Sequence, residues 1–95
     1  MAREIIWTIS AGKDLEYIFN YIKKDSLNYA RSVVVDIRSA TLSLADFAER
    51  GRLVPEYKKP DIRELFVGSY RLIYKVGART IYILALVHGA RKLKH

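Results

Sequence analysis

The strongest constraint on the fold of this chain lies in its second half, where three apolar segments are separated by very short turns. Ile62–Val67, Tyr70–Val76 and Thr80–Val87 are rich in β-branched and aromatic residues, which favours strands. Gly68-Ser69 and the glycine-led residues 77–79 have the lengths of hairpin turns. The three segments are therefore predicted to form an antiparallel meander, which needs a second layer of structure to cover it.

The first half predicts that second layer. Residues 3–9 alternate weakly and predict a short strand. Ser10 is predicted to cap a helix that runs to about Lys24, and Ser26 a second helix. The break between them is so short that they should form an antiparallel hairpin. The predicted buried stripes are Leu15, Ile18, Phe19 and Ile22 in the first helix and Ala30, Val33, Val34, Ile37, Thr41 and Leu44 in the second.

These elements predict one α+β domain over residues 1–95, in the order β-α-α-β-β-β. A short N-terminal strand and a helical hairpin should pack on one face of a twisted antiparallel sheet and leave the other face partly open. Arg52 to Pro60 is predicted to be a loop. The chain has no cysteine, no signal peptide pattern and no long apolar run, so we expect a cytoplasmic protein without a membrane span.

Charge is distributed unevenly along the chain, whose formal net charge is +7. Residues 1–49 hold 6 Lys/Arg and 7 Asp/Glu, a balance of −1, and residues 50–95 hold 11 and 3, a balance of +8. A positive field on the strand-rich half favours nucleic acid, a nucleic-acid-bound machine or an acidic protein as partner. The alternative is a surface made soluble by lysine, which does not require this asymmetry.

Arg71 is the basic residue with the most defined position, because it lies in the middle of a strand. Arg63 lies on the preceding strand. A two-residue turn at Gly68-Ser69 places the two arginines on opposite faces of the sheet, whereas a three-residue turn places them on the same face. Two roles for Arg71 stay open, which are binding to a partner from a solvent-accessible position and an internal salt bridge with Glu64.

The end of the last strand, His88-Gly89-Ala90-Arg91, supplies further candidates. Arg91 suits two-point contact with phosphate or carboxylate, and His88 could move a proton, although a lone histidine at a strand end is more often structural. No carboxylate pair, glycine-rich phosphate loop or Ser/His/Asp arrangement occurs, so no cofactor and no metal is expected. The candidates for binding a target or partner are Arg63, Arg71, Arg91, Lys58, Lys59 and Lys92.

A set of short motifs follows in order along nearly the whole chain. They are Trp7, Ala11, Asp14-Leu15, Ile18, Tyr21-Ile22, Ala30, Ile37, Leu44, Gly51-Arg52, Ile62-Arg63-Glu64-Leu65, Tyr70-Arg71-Leu72-Ile73-Tyr74 and His88-Gly89-Ala90-Arg91. In this order and spacing the set resembles the RelE/ParE toxin superfamily. The resemblance implies the toxin of a type II toxin–antitoxin pair, with a helical hairpin on a twisted antiparallel sheet. It also implies a cognate acidic antitoxin that wraps the toxin in a hetero-oligomer.

Within the superfamily the resemblance implies one of two activities. RelE-like members cut messenger RNA on the ribosome with a cluster of basic residues, often joined by a C-terminal tyrosine. By position, Arg71 and Arg91 match two arginines of that cluster. Arg63 is the residue of this chain that would match one of the cluster's lysines. Leu65 stands where a second lysine is expected, and the C-terminal tyrosine is missing. His88 would then have to move the proton, because arginines are poor bases.

ParE-like members instead inhibit DNA gyrase and need no catalytic set. The incomplete basic cluster and the residues that make up the motifs favour the ParE-like branch. DNA gyrase is therefore the predicted target, and the ribosome with its messenger RNA is the alternative. A third interpretation, a basic nucleic-acid-binding module, predicts binding that weakens steeply with salt.

Overall fold

The computed structural model describes residues 2–89 and confirms the predicted order of elements. It adds a two-residue strand inside the segment that was predicted to be a loop. The last strand ends one residue later than predicted. The elements are β1 (Glu4–Trp7), α1 (Ile9–Lys23), α2 (Leu27–Ser43), β2 (Arg52–Leu53), β3 (Ile62–Val67), β4 (Tyr70–Val76) and β5 (Thr80–His88).

The strands form one five-stranded sheet in the order β1-β5-β4-β3-β2. β1 runs parallel to β5, because the helical hairpin carries the chain back to the other end of the sheet, and the remaining pairs are antiparallel. β3 and β4 close with Val67 opposite Tyr70, so Gly68-Ser69 is a two-residue turn. Gly68 has φ 57°, a left-handed conformation that glycine adopts at little cost.

Each helix begins at a hydroxyl cap. Ser26 caps α2 as predicted, and its side chain accepts a hydrogen bond from the Tyr29 amide at 3.1 Å. The prediction of Ser10 as the cap of α1 is wrong, because Thr8 holds that position and accepts from the Ala11 amide at 3.1 Å. Thr8 also donates to a carbonyl of β5 at 2.8 Å, so one residue both ends β1 and begins α1.

The main core lies between the helical hairpin and one face of the sheet, called here the helix-side face. Ile18, Ile22, Ala30, Ile37, Thr41 and Leu44 are buried as predicted. They pack with sheet residues that are also buried, of which Leu72, Tyr74, Ile81 and Ile83 are the most enclosed. No helix within residues 2–89 is both long and apolar enough to cross a membrane.

The opposite face of the sheet, called here the outer face, is less open than predicted. The segment from β2 to Pro60 folds back over it, and Val54 packs with Ile62 and Ile73 in a second small core. Val54 and Ile73 are each 1% exposed. This cover could not be read from the strand pattern, because it depends on where a loop with two prolines comes to rest.

Tyr74 fixes the start of that covering segment from the helix side. Its hydroxyl donates to the Ala48 carbonyl at 2.8 Å and accepts from the Gly51 amide at 2.9 Å. Position 51 must be glycine, since a Cβ there would lie 2.6 Å from the Tyr74 hydroxyl and also collide with the backbone of Glu64.

Candidate functional site

Arg71 lies on the outer face, but it is buried. Its guanidinium is held by two carboxylates: Nε donates to Glu64 at 2.8 Å, and the two terminal nitrogens donate to Glu56 at 3.1 and 3.0 Å. Only 6% of the Arg71 side chain is exposed. Of the two roles left open for Arg71, the internal salt bridge with Glu64 is present, and the side chain is not accessible to solvent. Glu56 completes this pairing from the covering segment.

Arg71 is part of a larger ionic network. Arg52 pairs with the other oxygen of Glu64, so within residues 2–89 the network joins two arginines and two carboxylates. The hydrogen bond with Glu56, followed by the bond and charge of Glu64, raises the pKa of Arg71 against the lowering effect of burial. The guanidinium therefore stays charged, is a poor base, and is already paired with two carboxylates of the described residues.

Arg63 is on the helix-side face, away from Arg71. It is opposite Tyr74 in the β3–β4 pairing, whereas Arg71 is opposite Phe66, which fixes the two arginines on opposite faces. Arg63 donates to the Gly51 carbonyl at 2.7 Å, and its side chain is 21% exposed. It therefore supports the same turn that Tyr74 anchors.

His88 ends β5 and is exposed, on the helix-side face. Its ring meets that of Tyr70 edge-on, with centroids 5.8 Å apart. Tyr70 is four residues from Tyr74 along β4, so the positions of His88 and Arg63 are about 13 Å apart along the sheet. The sheet separates Arg71 from the other two candidates, because Arg63 and His88 lie on the opposite face. Arg63 and His88 are in turn separated along the sheet, so the three side chains do not converge on one reacting group.

The remaining candidates for binding a target or partner are Lys58, Lys59, Arg91 and Lys92. Lys58 and Lys59 are exposed at the tip of the segment that covers the outer face, and Lys58 has φ 52°. Arg52, with 62% of its side chain exposed, lies at the start of the same segment. Arg91 and Lys92 lie outside the described residues.

The structure also forms an aromatic groove that the sequence interpretation did not predict. Tyr17 and Tyr21 of α1 stack at 6.4 Å and, with Tyr70 and His88, line a groove of about 450 Å³. Tyr17 and Tyr21 are 71% and 61% exposed. Their spacing of four residues, which places both rings on one side of α1, was the available signal.

The groove has a rigid base. Asp14 accepts a hydrogen bond from the Leu86 amide at 3.0 Å and so joins α1 to β5. Burial, with smaller effects from the neighbouring Tyr29 and Tyr21, raises the pKa of Tyr70. Exposed tyrosines on a rigid base suit contact with another macromolecule.

Comparisons with known proteins place these features in context. The sequence model of the ParE toxin of the type II toxin–antitoxin system parDE matches residues 5–93. A protein named Toxin RelE2 from Caulobacter vibrioides is 34% identical over 89 residues, which cover 93% of this chain and 97% of that protein.

Two solved structures have the same fold. A chain of the chromosomal ParDE toxin–antitoxin system from P. aeruginosa matches with TM-score 0.75 and 24% identity, over 92% of this chain and 96% of that one. A chain of the toxin–antitoxin complex RelBE2 from Mycobacterium tuberculosis matches with TM-score 0.62 and 22% identity, over 93% and 99%. Because both sequence identities are below 25%, the two structures show only that this chain shares their fold.

Proposed function

This chain belongs to the ParE toxin family of type II toxin–antitoxin systems, and we propose that it acts by binding and inhibiting DNA gyrase, without cutting RNA. The observation that carries the proposal is the state of Arg71, which is buried and neutralised by Glu56 and Glu64. A toxin that inhibits by docking needs no catalytic residues. It needs only a stable scaffold and an accessible surface.

Cleavage of RNA makes different demands. The phosphorane carries extra negative charge, which a cleaving site stabilises with unpaired cations, and a general base must reach the 2′-hydroxyl. Here Arg71 is buried and paired with Glu56 and Glu64 on one face, while His88 lies on the other. This arrangement supports a function without RNA cleavage.

The accessible basic surface supports a docking function. Arg52, Lys58 and Lys59 are exposed beside the outer face, and Arg91 and Lys92 add two further positive charges in sequence. A surface of this sign attracts an acidic partner and accelerates its association. We therefore propose these residues for contact with gyrase or with the antitoxin, in the cytoplasm where gyrase acts.

A cognate acidic antitoxin is the second proposed partner. Both solved relatives belong to toxin–antitoxin systems, which supports a hetero-oligomer of this chain with its antitoxin. An acidic antitoxin segment would complement the balance of +8 in residues 50–95.

The relative named RelE2 supports one alternative function, which is that of a RelE-like ribosome-dependent endoribonuclease. It would use Arg71, Arg91 and His88, with Arg63 in support. This alternative requires the outer-face network, which is the set of ion pairs of Arg71 and Arg52 with Glu56 and Glu64, to open. Arg71 would then exchange its carboxylate partners for a phosphate. It therefore predicts that Arg71→Ala abolishes cutting of the message.

Two assays on the purified chain test the proposal. In the first, gyrase acts on relaxed plasmid; micromolar chain should stop supercoiling or trap a cleavage complex, and unimpaired supercoiling would reject the proposal. In the second, toe-printing on translating ribosomes should show an intact message. Cuts at the ribosomal A site that disappear in Arg71→Ala would establish the alternative. Denatured chain is the control in both assays.

A further inference from the structure

The aromatic groove contains one acid whose charge is not balanced within residues 2–89. Asp14 is half-buried and lines the groove, and one oxygen of its carboxylate accepts the hydrogen bond from the Leu86 amide. No lysine, arginine or histidine of the described residues forms an ion pair with this carboxylate. Because a carboxylate can accept about four hydrogen bonds, Asp14 keeps most of its capacity for a ligand that donates them.

The walls of the groove are tyrosine rings. Tyr17 and Tyr21 lie on the same side of α1 as Asp14, and Tyr70 lines the groove from β4. The face of a tyrosine ring carries negative potential and attracts cations. Lys24 shows this attraction, because its Nζ lies 5.9 Å from the centroid of the Tyr21 ring. The rings and the carboxylate therefore favour the same kind of ligand, which is a cation.

The apolar residues of the groove indicate that this cation is carried on an aliphatic stem. Ile18 and Leu86 add aliphatic surface to that of the rings. The stem of an arginine side chain packs on such surface, while its planar guanidinium stacks on tyrosine and binds a carboxylate. The ammonium of lysine is more strongly hydrated, so it gains less when it leaves water. The volume of about 450 Å³ is within the range of sites that enclose a small ligand.

The aromatic groove and the basic surface favour partners of opposite charge. Arg52, Lys58 and Lys59 are exposed beside the outer face, whereas the groove lies between α1 and the helix-side face. An acidic segment or a nucleic acid would bring carboxylates or phosphates to Asp14, and this like-charge contact opposes binding. The acidic antitoxin proposed for the basic surface is therefore not the occupant that fits the aromatic groove.

We propose that the aromatic groove binds an arginine side chain of a partner polypeptide. The guanidinium donates to the second oxygen of the Asp14 carboxylate and stacks on Tyr17, and the stem packs on Ile18 and Leu86. The inference goes beyond the proposed function, because it adds a contact site whose charge preference is opposite to that of the basic surface. It does not depend on gyrase being the target.

Nuclear magnetic resonance of the isotope-labelled full chain tests the proposal. The reporter is the Leu86 amide, because it donates to Asp14. The probe is an acetylated peptide amide in which arginine is flanked by two alanines on each side, and it should shift the Leu86 resonance to saturation. The same peptide with citrulline, which has the shape of arginine without its charge, should bind about tenfold more weakly. A peptide with glutamate in place of arginine should not bind.

Two pairs of variants test the residues of the groove. Asp14→Asn keeps an oxygen for the Leu86 amide but removes the negative charge, so it should weaken binding of the arginine peptide about tenfold. Glu16→Gln makes the same change at an exposed α1 position outside the groove and should leave the affinity unchanged. Tyr17→Leu should also weaken binding, whereas Phe47→Leu, which removes an exposed ring outside the groove, should not.

Circular dichroism checks that each variant folds, and the citrulline peptide tests the proposal on the unmodified chain. The inference would be overturned if the arginine peptide caused no shift at Leu86 or if the citrulline peptide bound equally well. A shift caused by a single-stranded oligonucleotide but not by the peptide would assign the groove to nucleic acid instead.

Two further results would assign the groove to this chain itself and so overturn the inference. One is a dimer in light scattering that Asp14→Asn dissociates, which would make a second copy the occupant. The other is a response to the arginine peptide that appears only in Arg91→Ala, which would make the chain's own arginine the occupant. A chain that inhibits gyrase but ignores the peptide would refute this inference and keep the proposed function. A chain that binds the peptide without inhibiting gyrase would do the reverse.

Discussion

Replacing Glu64 with glutamine tests whether the outer-face network is a structural part of the fold. The side chain of Glu64 is fully enclosed and contacts both Arg71 and Arg52. Glu64→Gln keeps the shape of the side chain but removes its charge. Of its two carboxylate partners within residues 2–89, the buried Arg71 then keeps Glu56, whose side chain is 21% exposed.

The expected cost follows from the burial of this pair. Removing one partner of a buried ion pair typically costs about 3–5 kcal/mol. Since Glu56 still pairs with Arg71, the lower end applies, and we expect about 3 kcal/mol for Glu64→Gln. In a domain of this size each kcal/mol lowers Tm by roughly 4–8 °C, so the Tm should fall by roughly 12–24 °C. Glu56→Gln should cost less, because its side chain is closer to solvent.

Thermal and urea unfolding followed by circular dichroism measure these effects. The double variant Glu64→Leu with Arg71→Met is the matched control, because it removes both buried charges and should recover most of the lost stability. A change in Tm of under about 3 °C for Glu64→Gln would refute the structural role of the network. A double variant less stable than the single one would refute the electrostatic explanation.

Three further predictions concern the tyrosines and the turn at Gly51. Tyr74→Phe leaves the Ala48 carbonyl and the Gly51 amide without their buried partner and should cost about 2–3 kcal/mol in urea unfolding. Gly51→Ala forces a Cβ against the Tyr74 hydroxyl, so Tm should fall more than in Gly12→Ala, where nothing lies within 4 Å. Burial raises the pKa of Tyr70 and Tyr74 above the ordinary 10.0, so the folded state holds protons that the unfolded state has released. The stability that these tyrosines contribute should therefore be fully present below pH 10.0 and be lost above it, which unfolding at about pH 9 and about pH 11 would show.

The strands were predictable because local chemistry determines them. β-branched segments separated by Gly68-Ser69 and by residues 77–79 give the meander directly, and the two-residue turn then places Arg63 and Arg71 on opposite faces. The cap of α1 was misplaced, because Ser10 and Thr8 are both chemically suitable. Only the end of β1 against β5 selects Thr8.

The state of Arg71 was only half predictable. Glu64 is seven residues away on the neighbouring strand, so this salt bridge could be named as an alternative from the pattern. Glu56 lies in a loop, and its contact with Arg71 depends on Val54 packing against Ile73. The aromatic groove depends in the same way on how α1 crosses the sheet, which periodicity along one segment does not encode.

We propose that this toxin docks on its target and that Arg71 serves the scaffold rather than a reaction. Gyrase supercoiling and ribosome toe-printing with the wild-type chain and with the Glu64→Leu, Arg71→Met variant test this proposal. Both proteins should inhibit supercoiling at similar concentrations, and neither should cut the message. Message cutting by the wild-type chain that the variant has lost, with supercoiling unaffected by either protein, would contradict it.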